Sequence, residues 1–306
     1  MRKPVHARRE HGRPHQQVHP ASEVEAIILD YMPRGYYDDP HREHRESPVA
    51  QALGLRSFML LDGTPLEPVE PLEYVTLARE IIRNIVVPGV GGRPVTKRVH
   101  LACMPGKDKN IYCYPYNVKD PQTMRLVVET VEAEDPRVIV LTDIKGLKSV
   151  ARERGLPEKI LVVPRTPISY KDLSDFARGI LEEAVRKVIR DKEDLFVEFF
   201  NIAEPINIRL HSLNLLRGIG KRTLLQLLRA REKKPFRRFE EIRRIIKYDP
   251  VDSLADKILE EIRGEAKYYL FVRPERGDAP FLGYLDRMRR ALRQKQHAKS
   301  SGEQAG

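Results

Sequence analysis

The stretch Leu213-Asn214-Leu215-Leu216-Arg217-Gly218-Ile219-Gly220-Lys221-Arg222-Thr223 sets two glycines one residue apart in front of a basic, helix-forming segment. Gly218 and Gly220 permit positive φ and leave no Cβ between the turn backbone and an incoming group. Several amide N–H groups can therefore face a single anion. A helix beginning near Lys221 adds unpaired first-turn amides and the positive end of its dipole, with Lys221, Arg222 and Thr223 as side-chain donors. The chemistry is non-covalent capture of phosphate, and a nucleic-acid backbone supplies phosphates. The candidate site is Gly218, Ile219, Gly220, Lys221, Arg222 and Thr223, with Arg217 at its edge. The alternative is a helical corner used for packing or for gripping a protein.

Local charge favours the phosphate reading. Between Pro205 and Lys247 thirteen Lys or Arg face Glu232, Glu240 and Glu241, a net +10 in a chain whose total is +11. Such concentration around one turn is the footprint of phosphate contacts.

The elements that must position this turn form a helix-hairpin-helix. Leu213 and Leu216 give an apolar edge to the end of one helix, and Leu224, Leu225 and Leu228 resume the pattern after the break. Upstream, Leu173, Phe176, Ile180, Ala184 and Val188 keep one helical face apolar, and Glu182–Arg186 and Glu183–Lys187 are spaced to pair on the other. Leu195, Phe196, Phe199 and Phe200 supply bulky anchors for the hairpin helices. Downstream, Pro235-Phe236 with Phe239-Glu240-Glu241-Ile242 opens one helix, Leu254, Ile258, Leu259 and Ile262 mark another before Gly264, and Tyr268 to Val272 reads as a closing strand.

The N-terminal half reads as β-rich. Ile27, Ile28 and Leu29 make a first strand entering the loop Asp30-Tyr31-Met32-Pro33-Arg34-Gly35. Ser47-Pro48 has the form of an N-cap with proline at the first helical position, predicting a short helix to Leu53 that stops at Gly54. Phe58 to Leu61 predicts a strand before an Asp62-Gly63 turn. Apolar runs at Ile81–Val87, Val99–Cys103, Leu126–Val131, Val138–Leu141 and Ile160–Val163 predict further strands, with a helix across Gly146–Arg154. Tyr112, Tyr114 and Tyr116 alternate and share a strand face. Exposed, they would stack on bases; buried, they are ordinary core. Pro115 argues for an edge strand. The Asp38-Asp39-Pro40-His41-Arg42-Glu43-His44 segment has no standard metal-ligand spacing and reads as a polar surface loop.

Composition sets the limits. The chain has 306 residues, 41% of them hydrophobic, enough for a sizeable core. No apolar run approaches the roughly eighteen residues of a membrane span, so a soluble, cytoplasmic protein is expected. Two cysteines, Cys103 and Cys113, exclude a four-cysteine metal site within one chain and suggest no disulfide framework. Residues 1–21 are basic and nearly devoid of apolar side chains, and read as a disordered arm. Its His6, His11, His15 and His19 sit in a segment that pre-organises no metal site. The stretch from Arg289 to Gly306 reads as frayed.

Taken together, Asp30–Gly35, Ser47–Gly54, Phe196-Val197-Glu198-Phe199-Phe200-Asn201, the Gly218-Ile219-Gly220-Lys221 turn, Pro235-Phe236 with Phe239-Glu240-Glu241-Ile242, and Tyr268–Val272 resemble the archaeal domain of unknown function 655 family. The resemblance covers roughly residues 23–72 and 165–273. It implies nucleic-acid binding through an OB-like N-terminal domain and a helix-hairpin-helix domain. Residues 73–165 depart from the family's pattern, which has a much shorter Lys/Gly-rich connection there. The expected fold is α+β: a β-rich OB-like domain over 22–165 with an atypical 73–165 segment, a helical helix-hairpin-helix domain over 166–273, and a C-terminal extension over 274–306.

No Walker loop, nucleophile elbow or HExxH motif is present, and Asp135, Asp143 and Glu129 are scattered rather than clustered for Mg²⁺. A glycosylase would need a catalytic Asp shortly after the hairpin, whereas Asp249 lies far downstream. The expectation is a non-catalytic, largely sequence-independent nucleic-acid-binding protein without cofactor or metal. Its partner is DNA or structured RNA, and the alternative is a scaffold for transcription, repair or ribosome-assembly proteins.

Overall fold

The computed structural model describes residues 23–35, 47–89, 93–164, 166–275 and 277–303. The basic arm 1–21 and the Asp38–His44 segment lie outside these. The N-terminal half contains β1 (Glu25–Met32), β2 (Val49–Gly54), β3 (Leu60–Pro65), β4 (Tyr74–Pro88), β5 (Pro94–Pro105), β6 (Ile111–Pro115), α1 (Pro121–Glu134), β7 (Val138–Val140), α2 (Ile144–Glu153) and β8 (Ile160–Val163). The C-terminal half contains α3 (Asp175–Asp191), α4 (Glu193–Ile202), β9 (Pro205–Asn207), β10 (Leu210–His211), α5 (Lys221–Lys233), α6 (Phe239–Arg243), α7 (Pro250–Ile262) and α8 (Tyr284–Glu303). The fold is thus mixed α and β.

β1 pairs antiparallel with both β2 and β4, and β8 bridges β3 and β4, so β1-β2-β3-β8-β4 closes into a ring. Closure removes the free edges these strands would otherwise expose. Ala26, Ile28, Ala50, Ala52, Leu61, Val75, Leu77, Leu161 and Val163 fill one core. Side chains alternate along a strand, so Ile27 and Leu29 leave by the opposite face and join the helical core. This two-sided burial explains why Ala26–Leu29 is apolar without interruption.

Beyond the ring β4 continues into a long hairpin with β5, β5 pairs antiparallel with β6, and β6 pairs parallel with β7. The parallel step needs a crossover, which α1 supplies. Val127 and Val131 of α1 cover Val99, Leu101, Cys103 and Cys113 on one sheet face. Leu147, Val150 and Ala151 of α2 pack with Ala102 and Met104 of the other. Cys103 and Cys113 face each other across β5 and β6 and form a disulfide, with Cα atoms 4.1 Å apart. The pairing corrects the expectation of no disulfide: strand register, invisible in a count of two cysteines, brings the thiols together.

The helical half packs directly on the ring. Ile27, Leu29, Leu53, Phe58 and Leu60 share one core with Leu181, Val188, Phe196, Phe199, Phe200, Leu254, Ile258 and Tyr284. Polar bonds cross the same boundary: Ser174 donates from Oγ to Asp30 (2.6 Å) and from its amide to Gln51 (2.8 Å), and the Tyr74 hydroxyl donates to Asp191 (2.7 Å).

Several expectations fail for identifiable reasons. Residues 49–54 form β2 rather than a helix, because pairing with β1 and β3 on either side outweighs the Ser47-Pro48 cap signal. Asp62-Gly63 lies inside β3 rather than in a turn, and Gly63 is needed for close approach: a Cβ there would stand 2.2 Å from the Val162 carbonyl oxygen. Leu126–Val131 belongs to α1, not a strand; Asp120 caps it through the Thr123 amide and Pro121 opens it. Pro115 sits on a strand flanked by β5 and β7, but β7 ends opposite Cys113, so the missing N–H costs no ladder bond on that side.

Phe176 is 54% exposed, and the buried stripe of α3 runs instead through Ala177, Leu181, Ala184, Val185, Val188 and Ile189. Arg186 does pair with Glu182, and also with Asp252 (2.8 Å), while Lys187 pairs with Asp191 (2.9 Å) rather than Glu183. Tyr268–Val272 is not a strand. The amides of Leu270, Phe271 and Val272 all donate to the buried Glu261 carboxylate (2.7, 2.8 and 2.8 Å). Burial pushes Glu261 up to about 7 against the pull of those three amides and of Lys257. Residues 289–303 are helical rather than frayed, and residues 304–306 lie outside the described ones. The helix is α8, where Tyr284 and Met288 are fully buried and Arg289 donates to the Leu55 carbonyl (3.3 Å).

Candidate nucleic-acid interface

The turn is built from its flanks inward. Leu213 and Leu216 are buried, but they belong to a single 3-10 turn, Ser212–Leu215, and the residue after it, not to the end of a longer helix as the leucine spacing suggested. Asn214 spans the bend: its Oδ1 accepts from the His211 amide (3.3 Å) and its Nδ2 donates to the Ile219 carbonyl (3.1 Å). Ile219, 4% exposed, is an anchor whose side chain points into the core and whose amide donates to the Leu216 carbonyl (3.3 Å). It holds the turn and offers no surface to a ligand.

The two glycines have different roles. Gly218 has φ +84°, and a Cβ on it would lie 2.8 Å from Cβ of Tyr248. Conformation and packing both demand glycine there. Gly220 has an ordinary φ of −83°, and a Cβ would meet nothing within 4 Å. Neither backbone nor packing requires glycine at 220, and what its absent side chain provides is open space above the start of α5.

Gly220 is the N-cap of α5, and no side chain caps the helix. The first-turn amides of Lys221, Arg222 and Thr223 lack intrahelical acceptors by construction, and the first helical bond runs from the Leu224 amide to Gly220 (2.9 Å). Lys221 and Arg222, the first two residues of α5, are exposed and Thr223 is half-buried. Donors, dipole and cations thus converge where a phosphate oxygen could sit.

Arg217 is held rather than free. Its guanidinium lies 4.9 Å from the Tyr248 ring centroid and 3.3 Å from Asp256, and its carbonyl accepts from the Ser253 hydroxyl (2.8 Å). These contacts bring α7 against the turn, and Lys247, next to Tyr248 in the chain, is exposed. Asp249, the nearest downstream carboxylate, caps α7 through the Val251 amide (2.8 Å) and pairs with Arg243. Its role is structural.

The charge count also resolves into two groups. Arg231 donates to the carbonyls of Phe200, Asn201 and Ala203 (3.1, 3.3 and 2.8 Å) and thereby caps α4. Lys234, Arg243 and Arg244 pair with Glu240, Glu241 or Asp249. Arg209, Lys221, Arg222, Arg229, Lys233, Arg237, Arg238 and Lys247 are exposed and have no ion pair among the described residues. His211 accepts from the Leu213 amide through Nδ1 (3.1 Å), and burial followed by the nearby Arg231 charge holds its pKa below the usual imidazole value. Its Nε2 is buried without a partner among the described residues.

Tyr112, Tyr114 and Tyr116 lie far from this turn in the chain. All three are half-buried and pack against the cluster beneath α2. The hydroxyl of Tyr112 donates to Asp108 (2.8 Å) and that of Tyr116 to Glu80 (2.6 Å), which also contacts His100 (2.8 Å). The surroundings are those of tyrosines that close a core.

Sequence reasoning missed Asn214, Lys247, Tyr248 and Ser253. An Asx-type brace was legible from Asn214 just before a glycine turn. Nothing near Tyr248 announced that it would meet Gly218. Among the described residues, no three His, Cys, Asp or Glu gather as a metal-ligand set, and no helix is long and apolar enough to cross a membrane.

Comparison with known proteins places this geometry in context. The family model described as "Protein of unknown function (DUF655)" matches residues 22–273. An uncharacterized protein of Methanocaldococcus jannaschii is 36% identical over 137 residues, spanning 44% of this chain and 63% of its own length. The crystal structure of a protein of the same family from Archaeoglobus fulgidus, 24% identical, aligns with a TM-score of 0.48 over 82% of this chain and all of its own.

Proposed function

The chain belongs to the DUF655 family, and from that premise we propose that it is a non-catalytic nucleic-acid-binding protein that grips backbone phosphates largely without reading sequence. One observation carries the reading: α5 starts uncapped at Gly220, where a side chain would meet only open space, and its first two residues are the exposed Lys221 and Arg222. Phosphate contacts position a nucleic acid and carry no base information. In this reading the ring β1-β2-β3-β8-β4 is an OB-like module, the turn before α5 is a helix-hairpin-helix element with an abbreviated first helix, and the protein works in the cytoplasm on DNA or structured RNA.

A second reading, a scaffold for transcription, repair or ribosome-assembly proteins, draws support from a shallow cleft of about 260 Å³ lined by Ala230, Pro235, Phe236 and Ile245 with Lys234, Glu241 and Arg244 at its rim. Fluorescence anisotropy against labelled duplex DNA, single-stranded DNA and a structured RNA over a salt series separates the two. Phosphate gripping gives a linear fall of log K with log salt. It also predicts that Lys221→Gln with Arg222→Gln flattens the slope and that Gly220→Val weakens binding about tenfold, near 1.4 kcal/mol. Absence of binding to all three at low salt would leave the scaffold reading in its place.

A further inference from the structure

Helix α5 carries more than its N-terminus. At about 100° per residue, Arg222, Arg229 and Lys233 fall within an arc of about 40° on one side of the helix. The opposite side holds fully buried Leu227 and the α4-capping Arg231. All three cations are exposed, and none has an ion pair among the described residues. With a rise of about 1.5 Å per residue, they form a line about 16 Å long that begins at the open first turn. Gln226 and the 54% exposed Leu225 flank it, and Glu232, the only acid on α5, lies about 80° round the helix from Arg222.

Such a line is an unusual use of a surface. Exposed helix cations are commonly laced with acids three or four residues away. Here the positions four and three before Arg229 are Leu225 and Gln226, and Glu232, three after it, forms no ion pair with Arg229 among the described residues. A continuous row of cations without partners fits a polymeric anion with regularly repeated charges.

We propose that the exposed face of α5 is a rail for the phosphodiester backbone, continuing from the turn so that Arg229 and Lys233 each neutralise a phosphate beyond the one held at Lys221. The inference rests on the phosphate-gripping reading and adds to it the extent and direction of the bound strand. The partner is a nucleic acid of several nucleotides at least; a single phosphate or nucleotide would occupy only the first turn.

The test is the salt dependence of binding by Arg229→Gln with Lys233→Gln, set beside Lys221→Gln with Arg222→Gln, on duplex DNA and on single-stranded RNA. Neutralising two exposed, unpaired cations at the far end leaves the turn and the melting temperature unchanged. On duplex DNA the magnitude of the log K against log salt slope should fall by about 1.8, two phosphates at about 0.9 each, and by about 1.4 on single strands. If the far-end variant keeps the parent's slope while the Lys221/Arg222 variant loses part of it, the rail is overturned and the turn site stands. If the parent itself binds neither polymer, both fall together.

Discussion

The segment from Glu80 to Ile160 and the segment around the turn from Pro205 to Lys247 differ in how far acids balance their cations. The first holds fourteen Lys or Arg against ten Asp or Glu, and many meet across the fold: Lys148 with Glu67 (2.5 Å), Lys159 with Glu73 (2.7 Å), Arg152 with Glu158 (2.8 Å), and Arg137 with Asp135 (3.0 Å). The second holds thirteen against three and leaves eight of its cations without an ion pair among the described residues. Seven cations of the first segment, Arg93, Lys107, Lys109, Lys119, Arg125, Lys145 and Arg154, likewise have no ion pair among the described residues, so the excess of cations over acids, more than partnering, separates the two segments. Arg231 marks the boundary within the basic segment: by charge it belongs to the interface, by geometry to the framework.

The two halves also differ in what fastens them, and the largest predicted effect probes that difference. The C-terminal half closes on a buried carboxylate, so Glu261→Ala, which strands three backbone donors and buried Lys257, should cost about 4 kcal/mol in urea unfolding. A cost below about 1 kcal/mol would mean that the 268–272 segment is held by its apolar contacts alone. The same group ties stability to pH. A carboxyl raised from 4.5 to about 7 in the folded state favours folding when protonated. Its contribution is therefore complete below about pH 4.5 and lost as pH rises through about 7. Melting curves of parent and variant should show this pH dependence in the parent only.

The β5–β6 region closes on a covalent bond instead. Replacing both Cys103 and Cys113 by Ala should destabilise by about 2–3 kcal/mol, the scale for a short closed loop, and leave nucleic-acid affinity unchanged because the pair is buried beneath α1. A loss of affinity in this variant would connect the two regions and erase the contrast.

Within the turn itself the glycines should separate stability from binding. Gly218→Ala forces an L side chain to positive φ and into Tyr248, with an expected cost of about 2 kcal/mol. Gly220→Val should cost under about 1 kcal/mol while weakening binding, since its Cβ points into open space. Equal effects of both on stability would remove the basis for calling the space above Gly220 a site. The smallest effect belongs to the other region: Lys107→Gln with Lys109→Gln, exposed cations between β5 and β6, should change affinity by less than about twofold.

Much of the site was legible because its determinants are adjacent in the chain. Two glycines, a helix start and a run of cations occupy eleven consecutive residues, and a helix N-terminus exposes its amides wherever it forms. Helices α2, α3, α5 and α7 were legible from their patterns, and so were β1, β4, β5, β7 and β8 as apolar runs, whereas α1 read as a strand and α8 as a frayed end. The failures at 47–54, 62–63 and 126–131 were different in kind, since in each the local signal pointed one way and the context decided. Ser47-Pro48 carries a helix-opening pattern, yet β2 is claimed from both sides by neighbouring strands.

By itself, then, the sequence determined that the chain sets a two-glycine turn and a helix start in a strongly basic segment, because turn chemistry and net charge are properties of neighbouring residues. The tertiary structure alone decided which cations are free and which are framework, that Gly218 is required by Tyr248 while Gly220 is not, that Cys103 meets Cys113, and that a buried carboxylate gathers Leu270, Phe271 and Val272. Each of these depends on groups distant in sequence, and their spacing across the fold is fixed only when strand register and helix packing bring them together.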